Sequence, residues 1–271
     1  MAVLSKDAAV KDDAVVLGAL GVLAYISSMM THEALGHGAV CILAGGHNVA
    51  MTGWSEGCNL HPEPLAITTA GPAVQFGAGL LAWLVLRRLK PRRFANLRSF
   101  LWLYMVFDLL MSSGYVAYSG VTNFGDGAVI IAGLTPRFLW RGILILAGAV
   151  IYYLSMWAAA LELRRFVGSD NNPRRLKRIL WIPYLAAGAF ACCAGALNRT
   201  EAPRLALELA LISSFGAGFG IVRLPDLRHA MVLKVSVPGS HVRWSIAWVL
   251  AATAIGAIFM LTLGLGLGGR S

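Results

Sequence analysis

The chain has 271 residues, of which 58% are hydrophobic and only 13% charged, about half the charged share of an average soluble domain. A water-soluble core has no use for that much apolar side chain, and several runs of roughly 20 apolar residues flanked by Lys and Arg predict a polytopic α-helical membrane protein. The formal net charge of +10 does not point to nucleic acid, because the basic residues lie in short loops between apolar runs and form no basic face interleaved with aromatics.

The first residues mix Lys6 and Lys11 with Asp7, Asp12 and Asp13 and lead into an apolar run too long for a signal peptide. Residues 1–13 are therefore expected to be a cytoplasmic tail. The first helix is predicted from Ala14 to about Leu43, ended by Gly45-Gly46. Inside it lies His32-Glu33-Ala34-Leu35-Gly36-His37, and ionisable groups at that depth in a bilayer are costly and mark functional sites. A polar stretch from His47 to Glu63 follows, a loop or short re-entrant hairpin carrying Trp54, a residue type that anchors at membrane interfaces.

The second span is predicted over Pro64 to Leu86, with Ala70-Gly71-Pro72-Ala73-Val74-Gln75 partway along it. Arg87, Arg88, Lys90, Arg92, Arg93 and Arg98 form a loop without acids, and Phe100 to Tyr118 is the third span, with Asp108 near its middle. The glycine-rich turn Asn123-Phe124-Gly125-Asp126-Gly127 comes next. Further spans are predicted over Gly142 to Leu161, Ile179 to Leu197, Leu205 to Val222 and Trp244 to Leu267, with a second basic loop from Arg164 to Arg178. The fold class read from this pattern is all-α, with about seven transmembrane helices.

Cys41, Cys58, Cys192 and Cys193 show no Cys-x-x-Cys spacing, and only Cys58 lies outside an apolar run, so neither a disulfide framework nor a thiolate zinc site is expected. The basic loops fall after the second, fourth and sixth spans, which places the N-terminus in the cytoplasm of a cell (inner) membrane and Ser271 outside. His32, Gly71-Pro72 and Asp126 then all fall towards the outer side.

A zinc hydrolase needs two neutral imidazoles on one face, a third ligand, and a carboxylate to take a proton from water. Residues four apart on a helix share a face, but His32 and His37 are five apart, which in a regular helix turns them about 140° from each other. Two arrangements remain open. A π-bulge would bring both histidines to one side; alternatively a regular helix would present Glu33 and His37 to iron or manganese. Asp108, a lone carboxylate in mid-span, stands as a candidate for the third ligand. His47 and His61 are read as solvated, with the option of completing the site if their stretch folds back.

These motifs, in this order, resemble the three signatures of the site-2-protease family of intramembrane zinc metalloproteases: His-Glu-x-x-His, Gly-Pro-x-x-Asn, and an Asn-containing segment ending in Asp-Gly. The resemblance covers residues 14–135 as a three-helix core, leaving 136–271 as additional transmembrane helices. It implies His32, His37 and Asp126 as zinc ligands and Glu33 as general base. It also sets Gln75 where the family has an asparagine that steadies the oxyanion, and brings Asn123 to the site from the third segment. The implied substrate is a peptide bond of a membrane-associated protein or peptide. The chain departs from the family pattern in the extra residue before His37, in Gln75, in a compressed third motif, and in lacking a PDZ-like insertion. Two other classes compete: a non-proteolytic binding or assembly subunit working with membrane-protein partners, and a carrier using Asp108 and Glu208.

Overall fold

Every apolar run of the sequence is a helix in the computed structural model, which describes residues 11–89, 94–169, 172–199, 203–227 and 239–267. The seven helices long and apolar enough to cross a bilayer are α1 (Ala14–Leu43), α2 (Leu65–Arg88), α3 (Ala95–Thr122), α5 (Arg137–Val167), α6 (Pro173–Leu197), α7 (Arg204–Asp226) and α8 (Ile246–Gly264). A short α4 (Asp126–Ile130) follows α3. The strands among the described residues are β1 (Asn48–Met51) and β2 (Glu56–Cys58), an antiparallel hairpin between α1 and α2. The chain is thus an all-α polytopic membrane protein. Residues 1–10 of the expected tail, Lys90, Arg92 and Arg93 of the first basic loop, and Ser271 lie outside the described residues.

Local chemistry sets the helix ends. The Asp13 carboxylate accepts the Val16 N–H at 2.9 Å and caps α1, and Asn172 does the same for α6, where Pro173 occupies the first turn. At the far end of α1 the chain needs a left-handed residue to close the last turn, and Gly45 supplies it with φ +87°. The helices extend several residues past the apolar runs because their first and last turns are polar.

α3 is the central helix. Leu103, Met105, Val106, Phe107, Leu109 and Leu110 are buried between α1, α2 and α5, and Trp102 donates from Nε1 to the Ala159 carbonyl of α5 at 3.0 Å. The opposite face of α5 presents Ile143, Leu146, Val150, Leu154 and Trp157 to the outside. That stripe, repeating every three or four residues, belongs against lipid.

Antiparallel helices sort the connections to two ends. At one, the buried Asp12 carboxylate accepts from Arg175 Nε at 2.7 Å and from the Val242 N–H at 2.8 Å, and Arg175 also donates to the carbonyls of Val167 and Ser240. Asp12 and Asp13 are therefore built into the fold rather than belonging to a loose tail. At the other end the hairpin meets the C-terminal side of α8, with Met51 and Leu267 exchanging two backbone hydrogen bonds of 2.8 Å. Trp54 is not an interfacial anchor: it is buried, donates to the Tyr25 hydroxyl at 3.0 Å and stands edge-on to Phe259.

The cysteine expectation is corrected at the same end. Cys41 and Cys58 form a disulfide across 17 residues, because the hairpin folds back along the last turn of α1 and returns β2 to it. Cys192 and Cys193 are free thiols.

The buried Asp12–Arg175 pair generates a stability prediction. Removing one partner of a buried ion pair leaves the other charge uncompensated, at a cost of about 3–5 kcal/mol. Asp12→Ala should lower the thermal midpoint in detergent strongly. Asp226→Ala, which breaks the exposed Arg223–Asp226 pair, should cost less than about 1 kcal/mol of stability and leave the midpoint nearly unchanged.

Candidate metal centre

The five-residue histidine spacing is accommodated by the backbone. Thr31–Gly38, within α1, is a π-helical turn with ordinary α-helix on both sides. Its i→i+5 pattern brings residues five apart onto one face, and His32 and His37 meet with their Nε2 atoms 3.2 Å apart. The four-apart pairing of Glu33 with His37 belongs to the regular helix that this stretch does not form.

The hydrogen-bond partners fix both imidazole tautomers. His37 Nδ1 lies 2.8 Å from the Ile67 carbonyl, which only accepts, so Nδ1 carries the proton and donates. Gln75 Nε2 faces the Ser28 carbonyl at 3.3 Å and Ser28 Oγ at 3.0 Å, which orients its amide and leaves Oε1 to accept from His32 Nδ1 at 3.0 Å. Both Nε2 atoms are thereby lone-pair donors pointing at one spot.

Asp126 completes the group. Asn123 in the left-handed conformation (φ 56°) and Gly125 (φ 81°) make the tight turn after α3 that carries Asp126 back over the histidines. Its Oδ2 stands 3.3 Å from each Nε2 and accepts no conventional hydrogen bond. The three donor atoms form a triangle with sides of 3.2, 3.3 and 3.3 Å. A tetrahedral ion with bonds of about 2.0–2.1 Å needs its ligand atoms about 3.3 Å apart. Three lone pairs converging in a buried place are mutually repulsive, and a cation at their centre turns repulsion into coordination.

This centre depends on the close approach of α1 and α2. A Cβ added to Gly36 would lie 2.5 Å from Gly71 Cα, and one added to Gly71 would lie 2.8 Å from His32 Nε2 and nearer still to His37. Gly71-Pro72 therefore makes room for the imidazoles.

Around the triangle, Glu33 is buried and, with His32 and Gln75, lines a cavity of about 380 Å³ that reaches α5 and α7 at Tyr152 and Ser213. Tyr115 lines it too. Its ring stands edge-on to His32, and its hydroxyl lies against Gly125, next to Asp126 in the chain. Sequence reasoning missed Tyr115, although it falls seven residues after Asp108 on the same face of α3. It also missed Glu56, which the hairpin places where burial pushes its carboxyl up to about 7.

The remaining candidates lie elsewhere. Asn123 is exposed, serves as the left-handed cap of α3, and is not among the cavity-lining residues described. Asp108 is fully buried but belongs to no metal-ligating group among the described residues. Glu208, His47 and His61 are exposed. Comparison with protein-family models, curated proteins and solved structures returned no match for this chain.

The Gly71 cradle is testable with its own control. Gly71→Ala overpacks the imidazoles and should cost about 1–3 kcal/mol in thermal unfolding. Gly77→Ala on the same helix meets open space and should be neutral or stabilising by up to about 1 kcal/mol.

Proposed function

We propose that the chain is an intramembrane zinc hydrolase of the site-2-protease type, cutting a peptide bond of a membrane-associated substrate. The observation that carries this reading is the triangle of His32 Nε2, His37 Nε2 and Asp126 Oδ2, with sides of 3.2–3.3 Å, built by a π turn where the motif has one residue too many. The edge lengths favour a tetrahedral ion over the iron or manganese alternative. The non-proteolytic reading rested on that extra residue and on the lack of a recognisable substrate-gating module, and the π turn answers the first of these.

Zinc held by these three residues would polarise a substrate carbonyl and acidify water. Glu33, buried beside His32 at the cavity wall, is the general base that takes the proton from the attacking water and returns it to the leaving amine. Tyr115, whose ring stands edge-on to His32 at the cavity wall, has a hydroxyl proton to donate to the developing oxyanion. Gln75 has both ends of its amide engaged, by His32 and by Ser28, and orients the ligand. Asn123 shapes the turn that delivers Asp126.

The orientation that fits has the N-terminus in the cytoplasm and the centre near the opposite face. Two things support it: the acid-poor basic loops gather at one end, and the Cys41–Cys58 disulfide, a bond that persists in oxidising compartments, lies at the other.

Purified without chelators, the protein should contain about one zinc per chain, lost in His37→Ala and Asp126→Ala. Glu33→Gln should keep its zinc and lose about 10²–10⁴ in the release of new amino termini from detergent-solubilised single-span peptides. Full cleavage by Glu33→Gln would sink the catalytic assignment.

A further inference from the structure

The cavity beside the triangle has a second wall that the chemistry above does not use. α7, outside the part of the chain that carries the three motifs, lines it with Leu209, Ile212, Gly216 and Ala217, and Met29 of α1 and Met111 of α3 line the same space. Its volume of about 380 Å³ lies within the range of small-ligand pockets, about 300–1,000 Å³. An apolar cavity left unfilled forfeits dispersion contacts, so a fold that keeps one open beside a reactive centre keeps it for an occupant.

The wall is firmly built, although its backbone is irregular. Within α7 the helix changes to a π turn at Ile212–Gly216 and a 3-10 turn at Ala217–Phe219, and hydroxyls from three other helices hold that stretch. Tyr152 of α5 donates to the Ala217 carbonyl at 2.8 Å and accepts from the Gly220 N–H at 2.9 Å. Tyr184 of α6 donates to the Phe215 carbonyl at 2.9 Å, and Tyr25 of α1 pairs with Ser213 at 2.9 Å. Gly216 adds room: a Cβ there would meet no atom closer than 3.8 Å. Met29 and Met111 add selectivity, since thioether sulfurs make favourable contacts with the edges of aromatic rings.

We propose that this cavity receives a large apolar side chain of the substrate, aromatic by preference, beside the bond that is cut, and that α7 sets the preference through Ile212 and Gly216. The inference rests on the hydrolase reading above and deepens it by naming what the substrate presents. His32 and Glu33 line the same cavity, so a side chain seated against α7 belongs to a residue whose backbone lies at the centre. One methylene in an apolar pocket is worth about 10–200-fold in specificity, and an exchange of Phe for Ala removes far more than one.

The test reads binding first, in metal-free protein in detergent with ¹³C-methyl-labelled methionine. N-acetyl-phenylalanine amide should shift the Met29 and Met111 signals, assigned with Met29→Leu and Met111→Leu, in a saturable way. It should leave the signals of Met51 and Met260, which are not among the described lining residues, where they are, and N-acetyl-alanine amide should shift none of them. Gly216→Leu should abolish the shifts, and Gly77→Leu, where a Cβ meets open space on α2, should keep them. Cleavage is read second, on two single-span peptides that differ only in Phe or Ala beside the cut bond. The wild type should favour Phe at least about 10-fold in kcat/KM, Gly216→Leu should lose that preference, and Ile212→Ala should move it towards Trp. Unmoved Met29 and Met111 signals in the wild type overturn the pocket, as do Phe and Ala peptides cut equally well. Saturable shifts in a protein that cuts no peptide sustain the pocket and defeat the hydrolase reading instead.

Discussion

The constraint on which the centre depends is angular. Two imidazoles five residues apart must share one face of a helix that is otherwise regular, and only one turn of i→i+5 backbone accomplishes this. The turn carries Gly36 and Gly38, and Gly36 sits where α2 comes within reach of α1. A bulge in a membrane helix frees or stretches backbone hydrogen bonds with no water to take them up. Its persistence requires packing on every side, which α2, the hairpin and α4 supply.

The same contacts explain why the polar hairpin is not a surface loop. Trp54 gives its N–H to Tyr25, and Tyr25 in turn pairs with Ser213 of α7 at 2.9 Å. The disulfide joins β2 to the end of α1. A chain that must keep irregular backbone over a buried site gains from covalent closure, since the bond removes conformational freedom that the unfolded hairpin would otherwise have. The polar groups of this end are thus held by one hydrogen-bonded and covalent frame rather than by apolar packing, which the bilayer would not drive.

Much of this was legible in the sequence, and for physical reasons. Span length and hydropathy are local properties, so all seven helices could be placed within a few residues. The offset between His32 and His37 is also local, and it narrowed the backbone to a bulge or a different ligand pair. What could not be read is what depends on approach between distant segments. Cys41 and Cys58 lack any spacing rule, and only the folded-back hairpin brings them together. The resemblance gave Gln75 a part in stabilising the oxyanion, yet the structure commits both ends of its amide, which is a matter of what Ser28 offers across the α1–α2 interface. Asn123 has a conformational part that its residue type alone does not announce: its left-handed φ of 56° helps turn the chain back to Asp126. Tyr115 was passed over because an aromatic on a buried helix face is usually packing, and its hydroxyl becomes informative only once the turn at Gly125 is seen beside it.

The acids of α3 and α4 are placed to different effect. Asp126 stands where two imidazoles face its carboxylate, each Nε2 3.3 Å away. Asp108 has no such partner among the described residues, neither of its oxygens reaching a hydrogen-bond donor, which is costly at that depth. Of the nearby hydroxyl protons, those of Thr31, Tyr104, Ser112 and Ser113 are taken by other oxygens. The polarity of the centre runs instead from His32 outward through Gln75 to Ser28. A chain of donors with a defined sense fixes an imidazole more firmly than one neutral amide alone, because reversing it would require every member to turn together.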